Sequence, residues 1–523
     1  MTSLTGDSYP PVLEDARELE RLVQTIKDWT IAHGLAVRPP PTNPGDEEGV
    51  LATGAPVTLF PSPFPRSCFE EAKAVQTQYN ELYARISRDE EFLGQLVKQV
   101  AGGDDFIDNL WKVHLRVKEE GYVQSLTLGL FRSDYMVHQD GDKLQIKQVE
   151  FNTIASSFGG LSSRTSLLHK HLAKTEYPFL SNPIPPSSLD LPENRSTEGL
   201  AAGLAAAYHA YGKSALGHPT CVLFLVQDGE RNVFDQRHLE YAVQQAPGPN
   251  ADLIPVFRLP FSQILTHTTL ATSSPRRELL YHPPHNPSLT FEVAVAYLRA
   301  GYGPGDYPTP AAWDARYQLE RSNAITCPSV LTQLAGMKKV QQVLATPEGS
   351  GDDDDPIPSA LRRFLPSPAD AAALAAIRKT FTNIYPLDGS PAGLLARAIA
   401  TDPARCVRYV MKPQREGGGN NVYKSAIPAR LAAIPPEHWG SYILMELITP
   451  PPAVNTILRG NGKVEQGGVI CELGVYGTCL WNRETGEVVR NEEAGYLLRT
   501  KGDQSEEGGV AAGYGCMDSV RLV

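Results

Sequence analysis

The alternation of apolar and polar positions divides the chain into elements before any motif is considered. Over residues 13–33, Leu19, Leu22, Val23, Ile26 and Trp29 recur at helical spacing and Gly34 stands where a cap belongs, which predicts an amphipathic helix. A Pro-rich connection, Pro39 to Pro44, leads to a second helical stretch around Phe69–Val100. Residues 122–136 and 144–151 read as paired strands, with Gln145-Ile-Lys-Gln-Val-Glu150 alternating in period two. From about 200 to 320 the pattern changes: helix 200–211, strand 220–226, helix 233–245, then strands at 252–258 and 291–298. Strands alternating with helices predict a compact α/β unit with a parallel sheet, bounded by the Pro/Ser-rich segment 181–193 and the 303–311 loop. A further apolar stretch, Cys406 to Met411, reads as a buried strand, and no internal repeat is visible.

With 523 residues the chain is long enough for two or three domains with sizeable cores. A net charge of −11 argues against coating nucleic acid, which needs a basic face. The seven cysteines are odd in number, scattered and without a Cys-x-x-Cys pair, the pattern of reduced thiols rather than of disulfides or zinc. The N-terminus carries Glu14, Asp15, Glu18 and Glu20 without an apolar core, so no signal peptide is expected. No apolar run approaches the ~20 residues of a membrane span, and a cytoplasmic enzyme is the expectation. The twelve histidines form no ligand set, and hydrolase-triad and zincin motifs are missing. Asp352 to Asp355 lack EF-hand spacing and read as a solvated loop rather than a Ca²⁺ site.

The candidate chemistry centres on Lys412-Pro-Gln-Arg-Glu-Gly-Gly-Gly-Asn-Asn421. Three glycines leave bare backbone N–H groups for an anion, Lys412 and Arg415 add positive charge, and Glu416 and Asn421 offer oxygens of the kind Mg²⁺ prefers. No Gly-Lys-Ser/Thr closes the run, so it is not a Walker A loop, and a Gly-rich turn in a hairpin reads the same way. Glu150 and Asn152 face one side of their strand and reach either a shared cation or solvent. Glu230 to Gln236 follows an apolar strand and opens a helix, where it either caps and turns or reads a small zwitterion. Arg132 and Arg299 each read as ending an apolar strand, suited to capturing carboxylate or phosphate or to a surface ion pair. Leu497 to Lys501 and Gly508 to Gly513 combine two cations with a small-residue loop, either a lid or a flexible turn.

Taken in order, these segments resemble the eukaryotic glutathione synthetases of the ATP-grasp superfamily. The resemblance runs through nearly the whole chain: Leu59-Phe-Pro-Ser62, Arg132-Ser-Asp-Tyr-Met136, Glu150-Phe-Asn-Thr-Ile154, Ser157-Phe-Gly-Gly-Leu161 and Glu230 to Arg237. It continues through Gln333 to Gln342, Lys412 to Asn421, Ser441 to Glu446, Leu497 to Lys501 and Gly508 to Gly513. It implies an α/β fold with α+β elements, an ATP-grasp body of residues 1–200 and 321–523 with a lid region at about 340–450. Residues 201–320 are then an inserted parallel-sheet substrate-binding domain.

The activity implied is ATP-dependent ligation of glycine to γ-glutamylcysteine through an acyl phosphate, in a cytoplasmic homodimer binding neither nucleic acid nor membrane. Ligation to β-alanine or serine, and a non-catalytic nucleotide-binding protein, are the alternatives. By resemblance Glu150, Asn152 and Glu416 hold magnesium, two ions per site. Around ATP the resemblance places Glu150, Lys338, Lys412, Gly417, Gly418, Gly419, Asn421, Tyr423, Met445, Glu446, Ile448, Glu472, Lys501 and Glu507. On the substrate side it places Arg132, Ser157, Glu230, Asn232, Gln236, Arg299, Tyr302, Arg499, Val510 and Ala511, with Arg132 and Arg499 as catalytic residues. Four departures stand out: Ala155 for Ser, Ala300 for Asp, Leu447 for Lys and Glu507 for Asp.

Overall fold

In a computed structural model of the chain, the described residues are 9–39, 50–246, 253–272, 274–347, 359–506, 510 and 513–523. The expected N-terminal helix runs Ala16–Ala32, capped by the Asp15 carboxylate accepting from Arg17 N at 2.8 Å, and buries Leu22, Val23, Ile26 and Trp29. The stretch at 69–100 is not one helix but three, Arg66–Ala74, Gln76–Ser87 and Glu90–Val100. The break between the last two falls at Asp89, whose side chain caps the new helix through Phe92 N. A further helix, Asp105–Glu120, starts at Asp104 in the same manner.

The largest sheet has seven strands among the described residues, in the order Ala453–Leu458, Val57–Thr58, Gly515–Asp518, Val488–Gly502, Val464–Asn482, Leu126–Asp140, Lys143–Asn152. Its neighbours pair antiparallel except Val57–Thr58 with Gly515–Asp518. Side chains alternate across it. Phe131, Tyr135 and Phe151 enter one core beside Tyr79 and Tyr83, with the Tyr83 and Phe151 rings 3.8 Å apart. Leu128 and Leu130 enter the opposite core, and their row continues along the strand into Arg132 and Asp134. Arg132 therefore lies within a strand of 15 residues, not at its end as the sequence suggests. Arg299 does follow the last residue of Phe291–Leu298.

The α/β pattern at 200–320 gives a second sheet. Val256–Pro260, Thr220–Val226, Phe291–Leu298 and Ile325–Cys327 pair in parallel, and Leu279–Tyr281 and Thr268–Leu270 add an antiparallel edge. Helices Ser196–Tyr211 and Val233–Gln244 flank it. A third, antiparallel sheet orders Ile384–Pro386, Ile443–Glu446, Tyr409–Lys412 and Val422–Tyr423. Here the strand begins at Tyr409 and not at Cys406, because Cys406–Arg408 forms a 3₁₀ turn that buries the cysteine. Six of the seven cysteines are buried and Cys471 half-buried, all as free thiols. The 352–355 aspartates lie outside the described residues.

Candidate active site

Residues 413–421 join Tyr409–Lys412 to the antiparallel Val422–Tyr423, with Met411 opposite Val422. The hairpin and the anion-loop readings thus describe one segment. Its stem is fastened: Gln414 accepts from Lys339 N at 2.9 Å and donates to Ser441 O at 2.9 Å, and Arg415 pairs with Asp104. Beyond Glu416, Gly417 and Gly419 adopt φ of +82° and +90°, a region that favours glycine, and the glycines are exposed.

The loop roofs a cavity of about 600 Å³, within the range of a nucleotide-sized site. Of the residues expected around ATP, Glu150, Lys412, Gly417, Gly418, Asn421, Tyr423, Met445, Glu446, Ile448, Glu472 and Lys501 line it, joined by Arg499. Gly419 does not border it, and Glu507 lies outside the described residues. Leu447 lines the cavity too, while its own N–H donates to Arg408 O at 2.9 Å. Lys338 sits behind the wall, buried, with its Nζ 2.9 Å from Glu150 Oε2 and 3.8 Å from Glu416 Oε2.

This arrangement drives the two carboxylates apart in acidity. Burial alone would raise Glu150, but Lys338 and Lys412 overcome it and hold its carboxyl well below the usual range. Burial raises Glu416 to about 7; Lys338 opposes this and the negative Glu150 adds to it. Burial likewise lowers Lys412 to about 8, against the pull of Glu150, while its Nζ donates to Val149 O at 2.8 Å. Glu416 Oε2 is buried without a hydrogen-bond partner. Asn152 spends its amide nitrogen on Arg132 O (3.2 Å) and Asp134 Oδ2 (3.0 Å), which leaves the amide oxygen as its remaining group. Among the described residues no set of three or more His, Cys, Asp and Glu is gathered for a metal. Two carboxylates and an amide nonetheless form an all-oxygen donor set that suits Mg²⁺ completed by phosphate and water.

The floor is built by register. Arg132 faces Asn152 and Tyr476, and Glu472 faces Arg499. Arg499 Nη2 donates to Asp134 Oδ2 at 3.0 Å and also to Glu472 Oε1. Asp134 is a residue that the motif reading passed over, although period two places it beside Arg132.

Among the residues expected on the substrate side, the loop 155–158 is held from several directions. Arg132 Nη1 (3.2 Å) and Tyr476 OH (2.6 Å) donate to Ser157 O, and Arg299 donates to Ser156 O and Ser157 Oγ, both at 2.8 Å. Asp235 is buried, not solvated: it accepts from the N–H groups of Phe158, Gly160 and Leu161 and so caps helix Gly159–Thr175 from another helix. Glu230 accepts from Asn232 N and Gln236 Nε2, yet Asn232 Oδ1, Gln236 Oε1 and Arg299 Nε are buried without partners. Orphaned polar atoms of that kind await a polar ligand. Tyr302 connects the halves, its ring 3.8 Å from where a Cβ on Gly417 would stand. Val510 is buried and borders a second cavity of about 830 Å³ with Asn232 and Phe158; Ser505 borders both cavities. Ala511 lies outside the described residues. Ala300 is fully buried and packs in the apolar core.

Residues 16–522 match the family model for "Eukaryotic glutathione synthase, ATP binding domain". The glutathione synthetase large chain of Schizosaccharomyces pombe is 39% identical over 522 residues, covering 97% of this chain and 98% of its own. Human glutathione synthetase is 37% identical over 519 residues, covering 98% of each. Among solved structures, a glutathione synthetase-like effector (GSS30) of Globodera pallida in apo form superimposes with a TM-score of 0.72 at 23% identity over 98% of each chain. The fold is thus that of a glutathione synthetase-like protein, and the chain belongs to the eukaryotic glutathione synthase family.

Proposed function

We propose that this chain is an ATP-dependent ligase that joins glycine to γ-glutamylcysteine, giving glutathione, ADP and phosphate. The observation that carries the reading is a single cavity in which Glu150, Lys412, Glu472 and Arg499 meet under a Gly-rich loop. In this reading residues 201–320 supply the substrate-binding domain. Glu150, Asn152 and Glu416 hold the magnesium, two ions per site, which supplies charge neutralisation along the phosphates.

The chemistry needs a carboxylate made electrophilic. The cysteinyl carboxylate of the dipeptide attacks the γ-phosphorus of ATP, the bond to the β-phosphate oxygen breaks, and ADP leaves. Lys412 and the backbone of Gly417 and Gly418 cradle the phosphates, while Arg132 and Arg499 face the charge that develops on the transferring group. Glycine's amine then attacks the acyl carbon, loses a proton, and phosphate departs. Positioning and charge stabilisation supply the rate, and no side chain acts as nucleophile. Asn232, Gln236, Arg299 and the 155–158 loop orient the dipeptide, and Val510 and Ala511 close the acceptor end. Pairing ATP with a closing loop also keeps water from the acyl phosphate. The reading includes a homodimer and a cytoplasmic location, although a relative of similar identity from Solanum lycopersicum is named chloroplastic.

The test is ADP release with γ-glutamylcysteine, Mg²⁺ and each of glycine, β-alanine and serine. Turnover with glycine well above the other two is expected. Turnover with none of them would overturn the ligase reading and leave a nucleotide-binding protein; preference for β-alanine or serine would overturn the acceptor.

A further inference from the structure

Asp134 takes no part in the reaction as drawn above, yet it is the most enclosed charge of the site, with a side chain that is 0% exposed. Its Oδ1 accepts from Arg132 Nε at 2.6 Å. Its Oδ2 accepts from Arg132 Nη2 at 2.8 Å, Arg499 Nη2 at 3.0 Å and Asn152 Nδ2 at 3.0 Å. One carboxylate therefore touches both arginines and one of the magnesium ligands of the proposed reaction.

The other three carboxylates nearby behave differently. Glu150 and Glu472 border the cavity, and Glu416 directly precedes the glycines of its roof; all three side chains are partly exposed, at 20%, 20% and 13%. Asp134 does not border the cavity and has no route to a ligand. The sheet is built to keep it so. Asp134 faces Glu150 on one neighbouring strand and Gly474 on the other. A Cβ at Gly474 would come within 2.7 Å of Arg132 Cδ and 2.8 Å of Asp134 Oδ1, so the aspartate–arginine pair fills the space that a glycine leaves.

Two guanidinium groups that serve one phosphoryl group repel each other and would swing apart in an empty site. A carboxylate locked between them sets the plane of each before substrate arrives, and through Nδ2 it also fixes which way the Asn152 amide faces. We propose that Asp134 is a positioning residue for acyl-phosphate formation: it holds Arg132, Arg499 and Asn152 in one geometry without touching substrate or metal. The proposal rests on the ligase reading given above.

The experiment compares the full-length wild type with Asp134→Asn, Asp134→Glu and Gly474→Ala. It measures kcat with γ-glutamylcysteine and glycine, the Kd for Mg·ATP by calorimetry, and folding by circular dichroism. Asn keeps the shape but sets an amide N–H₂ against the donors of Arg499 and Asn152. With misplacement of reacting groups by about 1 Å worth about 100-fold, kcat should fall about 100-fold while the Kd for Mg·ATP stays within about threefold. Asp134→Glu should recover only part of the loss, because a longer side chain cannot hold the same planes. Should Asp134→Asn fail to fold, Gly474→Ala decides: it retains every charge and pushes on the pair, so the same loss of kcat with unchanged Kd is expected. Folded variants with kcat within about threefold of wild type, or with kcat and Kd worsening together, would overturn the proposal. An inactive wild type would instead overturn the ligase reading beneath it; an active wild type with equally active variants overturns the positioning role alone.

Discussion

Asp134, Glu150, Glu416 and Glu472 stand among Arg132, Lys338, Lys412 and Arg499, so the protein's own charges at the site are close to balanced although each is buried or nearly so. Such a balance avoids stranding a lone charge away from water, which costs several kcal/mol. Lys338 bridges Glu150 and Glu416, and Glu416 Oε2, 3.8 Å from Lys338 Nζ, has no hydrogen bond of its own. Glu416→Gln tests that oxygen. The amide is nearly isosteric and suits a position whose carboxyl is already raised to about 7 by burial, so the fold should persist. Activity should drop about 100-fold or more for want of an anionic ligand, with a melting temperature near that of wild type. Near wild-type turnover in a folded Glu416→Gln protein would remove Glu416 from the metal site. The motifs at Glu150 and Lys412 were legible in the sequence, and both residues border one cavity. Asp134 was not: an aspartate two residues from an arginine reads as a solvated pair until the strands on both sides of it are known.

Strand alternation carries the site, since one face of Leu126–Asp140 passes from Leu128 and Leu130 to Arg132 and Asp134. Helix Gly159–Thr175 is held at its start and again part-way along. Asp235 caps its start, and His169 anchors it further on. His169 Nε2 donates to Thr58 O at 2.9 Å and Nδ1 accepts from Ser519 Oγ at 2.7 Å, the pattern of a neutral ring. Burial pushes its pKa down to about 4 from 6.5, against the bond to Thr58. Because the folded value lies below the unfolded one, its contribution is complete above pH 6.5 and is lost as pH falls toward 4, on the order of 3 kcal/mol. Chemical denaturation from pH 7.5 to 4.5 should show that loss in wild type and a shallower one in His169→Gln; equal slopes would remove His169 as the cause. Short apolar strands and the 3.6-residue helices at 16–32, 196–211 and 233–244 were readable from periodicity. The long strand Val464–Asn482 was not, because glycines interrupt its alternation where Asn80 and Asp134 pack closely against it. The junction at Val75, where two helices abut without a polar break, was hidden for the opposite reason.

Across the whole molecule, two sheets enclose one cavity, the seven-stranded sheet giving its floor and the four-stranded sheet its roof, while the parallel sheet is tied to the neighbouring 155–158 loop through Arg299. Segments more than 250 residues apart in sequence come together there, such as Lys412 with Val149, and Arg499 with Asp134. Periodicity alone gives no access to that convergence, whereas the ordered set of motifs does, since each is a piece of one surface. In the proposed reaction this surface transfers a phosphoryl group to the dipeptide carboxylate before the amine attacks. The direct measurement uses γ-glutamylcysteine labelled with ¹⁸O in its cysteinyl carboxylate, with ATP, Mg²⁺ and glycine, and mass analysis of the phosphate released. The account predicts one ¹⁸O atom in each phosphate formed, in step with glutathione. Unlabelled phosphate, released at the same rate with or without glycine, would mean that water takes the phosphoryl group and would contradict it.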